Sequence, residues 1–141
     1  MTRRDERGLA ASVEAAVVLP ALVLFVGLLL TFARIALADQ SVGSAAAAGA
    51  RAASLERTPG AGQDAAASAV AAALAQHGLR CAHTDVTVDT AGLSRPLGQL
   101  ASVRVSVTCQ VSLADVSLPL IPGQVTVEAA RTSPIDPLRG R

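Results

Sequence analysis

Lysine, tryptophan and tyrosine are absent from this chain, and Phe25 and Phe32 are its only aromatic residues. Each absence excludes something. Single-stranded nucleic acid is held on aromatic stacking platforms, and duplexes by a basic patch. Here 12 arginines face 11 carboxylates without a basic run, so no nucleic-acid partner is expected. Catalytic constellations are missing too. The many serines include no G-x-S-x-G elbow. Gly60 and Gly62 lack the strand–helix setting of a phosphate loop. No carboxylate is marked by the sequence as a partner for His77 or His83. Neither an enzyme nor a cofactor is expected. The apolar mass comes mostly from alanine and valine, which bury little area each, so the core is expected to be thin and to gain from partners.

Against these absences stands one long apolar run. Residues 15–33 (AAVVLPALVLFVGLLLTFA) carry no charge. That is close to the ~20 residues a helix needs to cross a hydrocarbon layer of ~30 Å. Pro20 is compatible with a membrane helix and permits a bend. Arg3, Arg4 and Arg7 precede the run, and Arg34 and Arg51 follow it. Arginine bias near the span leans towards a cytoplasmic N-terminus and an exported C-terminal part. A rival is a cleaved secretory signal, since Ala36-Leu37-Ala38 satisfies the A-x-A pattern before Asp39. Against it, the run exceeds the ~7–15 residues of a signal's apolar region, and Arg34 interrupts the approach to the cut.

Beyond the span the chain reads as helix up to Arg57, rich in alanine and free of proline. Gly43 and Gly49, with nearby serines and alanines, form a surface of small residues suited to close helix packing. Residues 58–64 (TPGAGQD) read as a linker. A second helix follows, with Asp64 as its cap and Gly78 at the left-handed position after its end. Leu74 and Leu79 would touch across that end, and His77 would sit favourably against the helix dipole.

From residue 81 the period changes to two. Residues 102–113 (SVRVSVTCQVSL) put Val103, Val105, Val107, Cys109, Val111 and Leu113 on one face, the pattern of a half-buried antiparallel strand. Residues 85–90 and 123–130 repeat the alternation. The expected fold class is α+β: a long N-terminal transmembrane helix, a second short helix and a small three-stranded antiparallel meander whose apolar face the helices cover. Residues 65–132 would form the exported domain, and residues 133–141 a frayed tail.

Cys81 and Cys109 are the two cysteines. An even count in a small exported domain favours a disulfide. Cys81 has the wrong parity to share a strand face with Val86 and Val88, so it belongs before the strand or ahead of a bulge. Free thiols are one alternative. Another is zinc held by His77, Cys81, His83 and Cys109, but compact C-x-x-C spacing is missing and no metal is expected.

One carboxylate, Glu14, lies at the mouth of the apolar run. The stretch from Arg7 to Ser54, "RGLAASVEAAVVLPALVLFVGLLLTFARIALADQSVGSAAAAGARAAS", resembles the TadE-like pseudopilins of tight-adherence (Flp/Tad) pilus systems. The shared pattern is R-G, a short spacer, V-E, an apolar run with L-P, and a helical stretch ending in A-A-R-x-G-A-R-A-A. Here Gly49-Ala50-Arg51 is intact and the earlier arginine is replaced. The resemblance implies a leader, residues 1–8, removed by a prepilin peptidase at Gly8/Leu9. It implies a structural role as a minor pseudopilin, with membrane lipid and other pilin-like subunits as partners of the helix at residues 9–57. Glu14 would then pair with the new amine of a neighbouring subunit and fix the register of one helix against the next. The alternative for Glu14 is snorkelling to the interface. Glu14 stands six residues after Gly8, whereas the family usually places it five after the cut. Cleavage after Leu9, a different register and loss of processing therefore stay open. The other functional readings are a binding domain released after Ala38 and an anchored envelope protein unrelated to pili.

Overall fold

The computed structural model describes residues 4–112 and 123–138, with side chains from residue 14 onwards. Helix α1 runs without a break from Arg4–Leu55 and includes Pro20. At 52 residues it is about 78 Å long. Its two halves differ completely in surroundings. Residues 14–26 are all exposed, whereas Ala38, Val42, Ala45, Ala46, Ala50 and Ala53 are buried. The buried positions recur at intervals of three and four, which places them along one broad stripe of the helix.

Helix α2, Pro59–Gln76, folds back along that stripe. It begins earlier than the linker reading of residues 58–64 and the Asp64 cap allowed. Thr58 is the cap: its backbone is extended and its hydroxyl accepts the amide N–H of Ala61. Pro59 then occupies the first helical position, where its missing N–H costs nothing and its fixed φ suits the helix. Gly62, Ala66, Val70 and Leu74 lie four residues apart and form the buried face. The other end of α2 is as expected. Gly78 has φ +65°, Gly78 N–H donates to the Ala75 carbonyl and Leu79 N–H to the Leu74 carbonyl. Leu74 is buried, and Leu79 packs on the same core.

Three strands follow in the order β1-β2-β3, all antiparallel: β1 (His83–Asp89), β2 (Ala101–Ser112) and β3 (Gln124–Ile135). A 3-10 turn, Ala91–Ser94, lies between β1 and β2. The central strand buries Val103, Val105, Val107, Cys109 and Val111 while the alternate residues face outwards. Leu113, read as the next member of that face, lies outside the described residues.

Strand β3 continues past Ala130 to Ile135, through residues that had read as the start of a tail. It pairs with the first residues of β2, and two side-chain contacts add to that pairing. Ile135 is buried, and the Ser133 hydroxyl donates to that of Ser54, 3.0 Å away across 79 residues of sequence. Arg131 and Ser133 interrupt the apolar alternation, which is why the extension is not evident from pattern. Pro134 is tolerated because β3 is an edge strand.

The largest fully buried side chains are Val42, Val70, Val103, Val105, Val107 and Cys109. Such short side chains reach one another only if backbones come close. Gly49 is where that happens. A Cβ built there would lie 2.7 Å from Val70 Cγ2, 3.3 Å from the Ala66 carbonyl oxygen and 3.4 Å from Val105 Cγ1. The helix pair and the sheet thus meet at one missing side chain.

Gly49→Ala is therefore expected to lower stability despite gaining about 1 kcal/mol of helix propensity, because overpacking costs about 1–3 kcal/mol. Val70→Ala in the same chain should return part of the loss, read as a positive coupling in a thermal-unfolding double-mutant cycle. Simple additivity would show that the crowding at Gly49 is relieved elsewhere.

Candidate functional site

The part of the molecule that its own fold leaves unused is the N-terminal half of α1. It contains the one helix segment among the described residues that is long and apolar enough to cross a membrane, with a window of mean hydropathy 2.7 and no burial against the rest of the chain. Val17, Leu19, Val23, Leu24 and Phe32 are each about 60% or more exposed. Exposure on this scale is far beyond the scattered apolar residues of an ordinary surface and marks an interaction or membrane face.

Glu14 lies at the edge of this segment and is itself exposed. Its helical neighbours at three, four and seven residues on are Val17, Val18 and Ala21, so the carboxylate stands above an apolar face. Gly8 and Leu9 lie within α1, whose first helical residue is Arg4. The boundary between leader and helix expected after residue 8 is thus not a break in secondary structure.

Gly43 and Gly49, paired in the sequence reading as helix-packing positions, have different neighbours. Gly49 meets α2 and β2, as described above. Gly43 meets the guanidinium of Arg131 on β3, with Nη2 3.0 Å from where a Cβ would stand. Two further close approaches escaped the sequence reading. Gly62 lies against Leu93 and near the Ala53 carbonyl, and Gly92 lies against the backbone of Ser102. For Gly62 a signal existed: it stands four residues before Ala66 and eight before Val70, on the face that packs.

Cys81 and Cys109 form a disulfide with their Cα atoms 5.4 Å apart. Cys81 lies just before β1, and no bulge is needed: Ala82 N–H donates to the Gln110 carbonyl and His83 is the first paired strand residue. Outside the strand, Cys81 is released from the parity that sets Val86 and Val88. With both sulfurs consumed, the four-residue zinc set with His77 and His83 has no thiolate to offer, and no metal-binding group occurs among the described residues.

An α+β fold stapled by one disulfide and carried on a long, half-uncovered apolar helix defines the class: a small domain joined to an N-terminal helix long and apolar enough to span a membrane. The family model described as TadE-like protein matches residues 10–51, the stretch of α1 from its exposed half into the core. The match lies wholly within α1 and leaves α2 and the sheet uncovered. No curated protein and no solved structure matches the chain.

The disulfide closes a loop of 28 residues in sequence separation, worth about 3–4 kcal/mol in the chain-entropy model. Reduction, or Cys81→Ser with Cys109→Ser, is expected to lower the thermal midpoint of the α2–β3 region by more than 10 °C. A midpoint unchanged by reduction would show that the bond adds nothing to the native fold.

Proposed function

We propose that the protein is a minor pseudopilin, a structural, non-enzymatic component of a Flp/Tad-type pilus or secretion apparatus. Its N-terminus is cytoplasmic, α1 crosses the cell membrane once, and the α2–β3 region is extracytoplasmic. One observation carries this reading: the segment matched by the TadE-like model includes an apolar helix that the fold leaves bare and that bears a single carboxylate at its edge. A bare apolar helix is stable in lipid or against similar helices. A lone carboxylate costs about 2.5–3.5 kcal/mol at the centre of a membrane helix and less at its edge, where it still favours any arrangement that supplies a cation. The amine exposed when a prepilin peptidase removes the leader at Gly8 or Leu9 is such a cation, on a neighbouring pilin-like subunit. Pairing it with Glu14 would set the register between helices.

Release after Ala38 as a free binding domain is the less favoured reading. That cut would fall inside continuous α1, next to a residue buried in the core.

Glu14→Ala and Glu14→Gln are expected to leave membrane insertion intact and to reduce co-assembly with pilin-like subunits by about tenfold, the loss that accompanies about 1.4 kcal/mol. Wild-type assembly by both variants would remove the register role. Intact mass of native protein from membranes checks processing separately, with a chain beginning at Leu9 or Ala10 as the expected result. A soluble chain beginning at Asp39 would replace the pseudopilin reading with that of a secreted domain.

A further inference from the structure

A groove opens beside α1 just after its apolar run ends. Arg34 is the first charged residue beyond residues 15–33. It lines an open groove of about 510 Å³ together with Leu37, His77, Leu79, Arg80 and Val111. The groove is thus built from α1, the turn that ends α2, and the end of β2, all at the side of the fold from which the bare helix emerges.

The lining divides by chemistry. Leu37, Leu79 and Val111 supply apolar surface, and Leu37 is 61% exposed on the same helix as the apolar run. Arg34 and Arg80 supply two guanidiniums, and His77 an imidazole. Among the described residues that line the groove, none is acidic. The negative end of the α2 dipole also points here, which would oppose an anion. Its effect is blunted because the carbonyls of Ala73, Leu74 and Ala75 already accept the backbone N–H groups of His77, Leu79 and Gly78.

We propose that this groove holds the phosphate head group of an anionic phospholipid. Guanidinium forks match phosphate oxygens in geometry and charge. Leu37 and the bare face of α1 continue from the groove towards the bilayer, where acyl chains lie. A free phosphate would use the arginines and leave that apolar continuation unused. The site requires that α1 cross a membrane and is independent of entry into a pilus. Its effect is to hold the disulfide-stapled domain against the bilayer surface at a fixed height on α1.

The test uses the full chain in nanodiscs of equal phosphatidylglycerol and phosphatidylcholine, with retained lipids counted by native mass spectrometry. Wild-type protein is expected to retain phosphatidylglycerol in excess. Arg80→Gln should cut that excess about fivefold, the worth of one arginine near the surface, and Arg80→Lys, which keeps the charge and loses the fork, should restore only part of it. Arg80 is exposed, and a Cys81–Cys109 bond seen by mass in each variant checks that the fold is kept. Equal retention of the two lipids by wild type would overturn the proposal. So would an excess unchanged by Arg80→Gln, which would assign it to Arg3, Arg4 and Arg7 at the far end of the span. Displacement of the lipid by millimolar inorganic phosphate would also overturn it and leave a plain anion site.

Discussion

The absence of a side chain at Gly49 is the constraint on which the fold rests. Val70 and the Ala66 carbonyl approach from α2 and Val105 from β2, so three layers meet over one glycine. A core of valines and alanines needs this. Each buried valine contributes about 1.5–3 kcal/mol, and none can bridge a gap that leucine or phenylalanine would fill. Close approach compensates for small side chains. The same logic recurs at Gly62, where α2 begins against the 3-10 turn and α1. The alanine-rich stretches are therefore working surfaces, shaped so that backbones can touch.

Because the core is built on α1, the exposed half of that helix is mechanically continuous with the sheet. The helix has no break between the edge of the apolar run at Glu14 and the core at Ala38, and Pro20 lies within it. Separation of anchor and domain by a flexible linker would let each move alone. Here no such linker intervenes, and the bare segment and the stretch packed on the sheet belong to one helix. The turn joining α1 to α2 is at the far end of the core, so it does not decouple them.

Much of this was legible in the sequence, and the failures have physical causes. The β2 alternation is unambiguous because all its inward positions are apolar from Val103 to Val111. The end of α2 is marked by glycine at the one left-handed position and leucines that touch around it. The start of α2 misled because Pro and Gly after Thr58 are equally the signature of a loop. Only the capped, extended Thr58 distinguishes a helix start, and that is a matter of backbone geometry. The end of β3 misled because its inward positions 131 and 133 are arginine and serine. Arg131 is accommodated beside Gly43, and Ser133 by Ser54, and neither long-range partner can be read locally. Gly43 reads as a helix-packing position, and what lies beside it is a guanidinium from β3.

Continuity of α1 also gives meaning to the spacing between the leader and Glu14. A helix advances 1.5 Å and turns about 100° per residue. Cleavage after Leu9 instead of Gly8 would therefore move the new amine by one such step relative to Glu14, to Leu37 and to the sheet beyond. An amine that must meet the Glu14 of a neighbour accepts only one of these placements well, since a pair in lipid is favourable only with good geometry. With α1 unbroken, in the proposed assembly that placement would also choose which face of the domain a neighbouring subunit meets. A one-residue departure in the leader spacing, if it is matched by the cut, preserves the contact. Without such a match, the pairing would require a turn of about 100° of α1, and of the sheet packed on it, relative to the neighbour.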